Sequence, residues 1–492
     1  MVDLITGFAL AAVVLTVAGL ASGFVERAPL SFPIIFLGLG FLLGEHGLHI
    51  LELHAENELL ESVATLTLAL VLCLEAVRIG NESLQGAGVI PVLSLGPGTL
   101  IIISIVATAA YFLLGTSLVQ SLLLGTILAS TDPVVLRDVV RDNRIPRSVR
   151  QALNIEAGTN DIVVLPILLI LIAVATSEAT SVAGWALFFV KILLLGPAVG
   201  FAIGAGAAWL MNKVDQRHSI SEVYQSLYGI GIVLLAFATA QSLGGDGFLA
   251  AFAAGFAIAV LNFDLCECFL NYGETTSEMA MLLSFILFGV VISDLFSEVP
   301  LVPALVLSLV VIFVARPLAI TVVLRKAAVS NVARAFIGWF GPRGLNSLLL
   351  ALLVVQAGVE GSVFLLAVTG VVVTVSVVVH GASATPVSTL YGRVVEGETQ
   401  QEERESGAGG IFEGAAHETP RVGPDELAKM MKADLPLVIL DVRTRSQYAM
   451  DHRLIPDAIR LRPDEVEEWA REWETEHPQS QVEGQRIVAY CT

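Results

Sequence analysis

Apolar runs of roughly twenty residues follow one another along most of this chain, broken by short polar loops, and the pattern changes abruptly near residue 393. A helix that crosses bilayer hydrocarbon needs about 20 mostly apolar residues. Thirteen segments fit: 4–24, 30–44, 59–78, 92–114, 118–136, 149–176, 184–211, 223–242, 247–262, 277–293, 302–324, 333–357 and 361–381. The first starts with Asp3 and has no basic leader, so it is expected to be a span and not a cleaved signal. Residues 393–417, rich in Glu, Gln and Gly at their start, are expected to be a flexible linker. Beyond it, Pro424 opens a short helix, Leu437 to Arg443 is a buried strand, 463–474 is an acidic amphipathic helix, and Arg486 to Tyr490 is a second strand that delivers Cys491. Strand, helix and strand in that order imply a small parallel α/β unit over 418–492. The expected fold is therefore an all-α polytopic membrane domain over 1–392 and a small α/β tail.

Composition sharpens this division. Only 15% of the 492 residues are charged and the mean hydropathy is +0.78, against roughly 25% charged in soluble domains. One large soluble enzyme is excluded. Residues 1–392 hold 15 Lys+Arg and 25 Asp+Glu, and the remaining residues hold 12 and 21, so the short tail carries nearly half of the net charge of −19. An acidic chain is a poor match for nucleic acid, whose phosphates need a basic face. Four scattered cysteines make no disulfide framework.

The basic residues also orient the spans. Arg27, Arg78, five arginines between 137 and 150, Lys213, Arg217, Arg325, Lys326 and Arg334 fall in one set of loops. The alternating set (45–58, 115–117, 177–183, 243–246, 294–301 and 358–360) has none. The arginine-rich side is expected to be cytoplasmic, with the N-terminus outside and the tail inside a cell membrane.

Charge inside hydrocarbon is costly and marks a functional site by default. The candidates are Glu75, Asp132, Glu156, Asp161, Lys191, Arg316 and Arg343, with Asn160 beside them. In Ala129-Ser130-Thr131-Asp132-Pro133 the proline removes an amide donor and clashes with the preceding turn. The segment is expected to be an interrupted helix whose freed backbone groups line a cavity; the alternative is a proline kink capped by Asp132. Glu156 and Asn160, four apart, share a helix face, and Asp161 is turned about 100° from Asn160. A carboxylate at Asp161, away from bulk water, would take a proton or a cation but not both; the alternative is a buried pair that only ties helices together, and for Glu156 that structural reading is preferred. Arg316, followed by Pro317, is a candidate partner for Glu156. Arg343, within Gly341-Pro342-Arg343-Gly344, could sit against the negative end of a half-helix. Two broken helices in two halves are the signature of an inverted-repeat secondary transporter.

At these motifs the chain, over roughly residues 1–390, resembles the NhaP-type monovalent cation:proton antiporters of the Na⁺/H⁺ exchanger family. The resemblance implies thirteen helices, inverted repeats with crossing broken helices, a homodimer and elevator-like alternating access. It implies that Asp161, in the Asn160-Asp161 motif, carries the cation and the proton, and that Asp132 is the acidic residue of the first crossing. It further implies that Thr131 offers oxygen to the ion, that Glu75 lies near the ion site, and that Glu156 with Arg316 braces Asn160. Many relatives carry Ser where this chain has Ala157; Thr159 or a water would have to compensate, which leaves Na⁺, Li⁺ and K⁺ open as the cation. The implied exchange is electroneutral, one for one, and needs no cofactor.

The tail resembles a rhodanese-like domain, with Asp441-Val442-Arg443 and Ile455-Pro456-Asp457-Ala458 matching that family's pattern and Cys491 matching its sulfur-carrying cysteine. The sequence ends at Thr492, before the anion-cradling loop that would follow Cys491, and a truncated or degenerate domain is the expectation. A membrane-anchored sulfurtransferase or sulfur-sensing regulator is the competing function, and a cation channel a third. His46, His49 and His54 in an acidic outer loop would be a zinc or pH-sensing site or, as preferred, a solvated loop. Cys266 and Cys268 are expected in a cytoplasmic loop, too closely spaced for a zinc knuckle. Lys191 either snorkels or pairs with an acid.

Overall fold

The computed structural model describes residues 32–82, 93–142, 144–177, 181–218, 220–261, 263–327 and 329–397, a few residues between 12 and 20, and in the tail 424–432, 437–442, 453–461, 469–470, 473 and 486–490. The first expected span, 4–24, lies mostly outside the described residues, as does Cys491. The chain divides into two units, 1–407 and 408–492.

In the first unit the helices are α1 (Phe32–Leu43), α2 (Glu58–Glu82), α3 (Thr99–Leu114), α4 (Leu118–Ile127), α5 (Pro133–Arg141), α6 (Arg147–Ala175), α7 (Val182–Phe189), α8 (Gly196–His218), α9 (Glu222–Ser242), α10 (Gly247–Leu261), α11 (Phe263–Leu295), α12 (Leu301–Val310), α13 (Arg316–Val323), α14 (Asn331–Trp339), α15 (Leu345–Gln356) and α16 (Ser362–Gly397). Among the described residues seven stretches are long and apolar enough to cross a membrane, and four shorter helices are apolar. They follow the expected spans closely. Polar side chains set the ends: Ser117 and Gln120 form a capping box at the start of α4, and Ser181 and Ser330 cap α7 and α14.

Three expected spans contain a widened turn, at Ser94–Gly98, Val190–Leu195 and Val311–Ala315. Each holds or directly precedes a proline region: Pro97, Pro197 and Pro317. A proline lacks its N–H and crowds the carbonyl four residues back, and a wider turn accommodates that without ending the helix. Lys191 lies in the second of these turns and is exposed.

Two expectations are corrected. Helix α11 starts at Phe263, well before residue 277, so Cys266 and Cys268 lie on a helix and not in a loop; their side chains are outside the described residues. Helix α16 runs through Pro386 to Gly397, past the expected start of the linker. Both helices continue past their apolar runs, α11 through a polar and acidic first part (Asp264, Glu267, Asn271, Glu274) and α16 through Pro386 and Arg393.

Helices α1, α2 and α8 to α11 pack as one group, and α3 to α6 with α12 to α16 as another; α2 meets α6 and α15 where the groups adjoin. Small residues let backbones approach in the first group: a Cβ on Gly200 would lie 2.0 Å from the Ala250 carbonyl oxygen. Large apolar side chains such as Phe112, Phe201, Leu235 and Phe313 remain exposed, as a lipid-facing surface requires.

In the second unit, α17 (Pro424–Lys432) precedes a three-stranded parallel sheet in the order β2 (Ile459–Arg460), β1 (Leu437–Asp441), β3 (Arg486–Tyr490). β1 is the central, most buried strand. Buried Asp441 faces Arg460, whose Nη1 donates to the Asp441 carbonyl at 2.8 Å.

Candidate functional site

The expected break at Pro133 is present. Helix α4 stops at Ile127, the chain runs non-helically through Ser130 and Thr131, and α5 restarts at Pro133. Proline is suited to a first helical position, where its missing N–H is not needed. A second break, residues 340–344, separates α14 from α15. The two breaks touch: the Asp132 N–H donates to the Pro342 carbonyl at 2.9 Å.

Asp132 closes both restarts. Its Oδ1 accepts from the Val134 N–H at 2.8 Å and its Oδ2 from the Leu345 N–H at 2.7 Å. The N-terminal, partly positive ends of two half-helices thus share one carboxylate. The approach leaves no room at Gly344, where a Cβ would stand 1.9 Å from Asp132 Oδ2.

Arg343 is fully buried. Its Nη1 donates to the carbonyls of Ala129 and Ser130, at 2.6 and 2.9 Å, just beyond the C-terminal end of α4. The carbonyl groups freed by the first break therefore meet the guanidinium supplied by the second. Arg316 instead meets Glu156 in a bidentate ion pair, 2.5 and 3.0 Å, buried on both sides. Its Nε reaches the Ile337 carbonyl at 3.3 Å.

Asn160 and Asp161 sit in mid-α6, facing the first break. Asn160 Nδ2 donates to the Ala129 carbonyl and to Thr131 Oγ1, at 3.1 and 3.2 Å. Asn160 Oδ1 is buried and unmatched. The Asp161 carboxylate accepts from Ser130 Oγ at 2.6 Å and from Asn346 Nδ2 at 2.7 Å. Among the described residues it forms no ion pair. Neutral donors alone hold a buried carboxylate, while both buried arginines are engaged elsewhere.

Glu75, on α2, is buried, and among the described residues neither carboxylate oxygen has a hydrogen bond of good geometry. It lines a cavity of about 270 Å³ together with Arg78, Pro133, Arg137, Asn154 and Ala157. Asp161 does not line it. Ala157, one turn before Asp161 on the same face of α6, does, so the cavity reaches one helical turn from the carboxylate. Near its mouth two ion pairs join α11 to neighbouring helices: Arg78 to Glu274 at 2.8 Å and Arg137 to Glu278 at 2.9 Å. Thr159 turns its hydroxyl back to the Ile155 carbonyl, and no described hydrogen bond joins it to the Asp161 cluster.

Ser130 and Asn346, the two donors to Asp161, were not singled out from the sequence as site residues. The available signal for Asn346 is its polarity three positions after Arg343, beside Ser347 at the start of the largely apolar α15. On the opposite face, His54 pairs with Asp294 at 2.8 Å and His46 Nδ1 lies 2.6 Å from the Ser293 carbonyl oxygen. Among the described residues no group of three or more His, Cys, Asp or Glu is arranged to hold a metal ion.

A family model described as sodium/hydrogen exchanger, transmembrane, matches residues 12–390, and one described as rhodanese-like domain matches residues 423–492. The K(+)/H(+) antiporter NhaP of Alkalimonas amylolytica is 28% identical over 361 residues, covering 72% of this chain and 61% of that protein. The K(+)/H(+) antiporter NhaP2 of Shewanella baltica is 28% identical over 387 residues, covering 78% and 66%. This chain therefore spans somewhat less than two thirds of the length of the curated relatives it matches. The solved structure of the sodium proton antiporter MjNhaP1 from Methanocaldococcus jannaschii superposes with a TM-score of 0.65 at 19% identity, covering 80% of this chain and all of that one; at that identity the likeness is one of fold.

Proposed function

Because this chain belongs to the sodium/hydrogen exchanger family, we propose that it is a secondary active antiporter that exchanges a monovalent cation for H⁺ across a cell membrane. The cation is Na⁺, Li⁺ or K⁺; the names of the curated relatives bring K⁺ forward. The observation that carries the reading is the Asp161 carboxylate, buried and held, among the described residues, by the neutral donors Ser130 and Asn346. An uncompensated carboxylate in hydrocarbon is strongly disfavoured. A proton or a cation removes that penalty, one at a time, so each displaces the other.

Asn160 Oδ1, Thr131 Oγ1 and the Glu75 carboxylate are the nearby oxygens that would complete the cation's surroundings, with Thr159 further back on α6. Glu156 with Arg316, Asp132 and Arg343 hold the breaks in place around them. Alternating access would expose Asp161 to each side in turn, and neutral Asn160 in place of a second acid favours one-for-one, electroneutral exchange. The arginine-rich side is cytoplasmic, and the protein works as a homodimer, with no resident cofactor.

The test is exchange in proteoliposomes carrying an internal pH dye, with Na⁺, Li⁺ and K⁺ compared. Wild type should exchange at least one of them for H⁺, and Asp161→Asn should exchange none while eluting as a folded protein. Exchange by the variant would remove Asp161 from the mechanism. A conductance with no proton coupling would make the protein a channel. Sulfur transfer without ion exchange would favour the sulfurtransferase reading.

A further inference from the structure

The cluster around Asp161 depends on how the 340–344 break is held, because that segment presents Arg343 and leads directly into Asn346 in the first turn of α15. Asp132 holds one side, accepting the Leu345 N–H and donating to the Pro342 carbonyl. The other side is held from α16. There His380 is 2% exposed and both of its ring nitrogens are engaged. Nε2 lies 3.1 Å from the Trp339 carbonyl oxygen, at the C-terminal end of α14. Nδ1 lies 3.2 Å from Ser376 Oγ and 2.9 Å from the Ser376 carbonyl oxygen. Ser376 Oγ in turn accepts the Arg343 N–H at 2.8 Å.

Each ring nitrogen faces a carbonyl oxygen; with a proton on Nε2 the ring donates to Trp339, and Nδ1 either donates to the Ser376 carbonyl or accepts the Ser376 hydroxyl proton. The result is a chain of hydrogen bonds from Trp339 through His380 and Ser376 to Arg343, which spans the break from the last residue of α14 to the residue that grips the opposite break. The terminal carbonyls of a helix need partners when buried, and here the partner is a side chain on another helix. The Trp339 ring packs against His380 at 5.8 Å between centroids, and its Nε1 donates to Ser383 Oγ at 3.1 Å, which fixes the same corner to α16 a second time.

We propose that His380 is a positioning residue of the exchange site: through Trp339 and Ser376 it sets the place of the 340–344 crossing, and thereby the places of Arg343 on the Ala129 and Ser130 carbonyls and of Asn346 on Asp161. This rests on the antiport reading above. His380 touches neither cargo nor Asp161, so its loss should shift the donors around the carboxylate and weaken cation binding, with the rate at saturation less affected.

The test is the cation dependence of exchange in proteoliposomes for wild type, His380→Leu, His380→Gln and Ser376→Ala, each first checked for its unfolding temperature in detergent. His380→Leu should raise the half-saturating cation concentration about tenfold and change the maximal rate less than about twofold. His380→Gln, which keeps an N–H donor within reach of the Trp339 carbonyl, should return it to within about twofold of wild type. Ser376→Ala, which leaves the packing of His380 intact, should move it in the same direction as Leu. Wild-type affinity in His380→Leu, or Gln no better than Leu, overturns the proposal. Where His380→Leu does not fold, an unchanged affinity in Ser376→Ala overturns it. A wild-type protein that exchanges no cation sinks the antiport reading itself, and this proposal with it, which separates the two failures.

Discussion

Asp132 Oδ2 accepts the backbone N–H of Leu345 at 2.7 Å, across two segments more than two hundred residues apart in sequence. The same carboxylate accepts the Val134 N–H, so one side chain caps two half-helices. A single cap contributes about 0.5–2 kcal/mol. Asp132→Ala should therefore lower stability by about 1–4 kcal/mol, twice the single-cap range, and Asp132→Asn by less, because its amide keeps one acceptor. Unfolding in detergent, followed by tryptophan fluorescence, measures the difference. Equal stability of the Ala variant and wild type would mean that the caps hold nothing.

Glu156 and Arg316 are both buried, and removing one partner strands the other's charge. Arg316→Ala should destabilise by about 3–5 kcal/mol. Replacing both, Glu156→Leu with Arg316→Leu, should recover most of that loss, since an apolar pair leaves no buried charge. A double variant as unstable as the single one would show that Arg316 acts chiefly through its bond to Ile337.

Gly344 stands against Asp132 with no space for a side chain. Gly344→Ala should displace the Asp132 carboxylate or the start of α15 and reduce exchange by more than about tenfold, whereas Gly206→Ala, where a Cβ meets nothing, should leave it unchanged. Comparable exchange in the two variants would contradict the close approach.

On the face opposite the arginine-rich loops, the link between residues 45–54 and the end of α11 depends on pH. The hydrogen bond to Asp294 holds His54 above its usual 6.5, and the bond of Glu45 to the same carboxyl holds Glu45 above its usual 4.5. Both groups bind their proton more tightly in the folded state. Their contributions are complete below those ordinary values and fade as pH rises through the raised ones. Amide exchange over 45–56, corrected for its intrinsic pH dependence, should show less protection at pH ~8 than at pH ~5. His54→Ala should remove the part of this change that occurs at the higher pH. Protection that does not vary with pH would contradict it.

The broken helices were legible because proline is a local signal: Pro133 and Pro342 sit where apolar runs of spanning length carry an acid or an arginine. The Glu156–Arg316 contact was legible from charge economy, since two isolated opposite charges in hydrocarbon need each other. The placement of Arg343 on carbonyls followed from the same logic. Ser130, Asn346, Ser376 and His380 did not stand out. Short polar side chains in apolar helices often bond their own backbone four residues back, as Thr67, Ser284 and Thr369 do here, so their presence alone does not tell a site residue from a satisfied one. The long reach of α11 and α16 was missed because a helix leaving the bilayer loses its apolar pattern before it loses its backbone hydrogen bonds.

The most direct test of the central claim is the half-saturating cation concentration of the wild-type protein, measured in proteoliposomes as a function of pH. If proton and cation compete for Asp161, that concentration rises as pH falls, approaching about tenfold per pH unit on the acid side, while the maximal rate stays constant. A half-saturating concentration independent of pH, with only the maximal rate changing, would place the two ions on different groups and contradict the account.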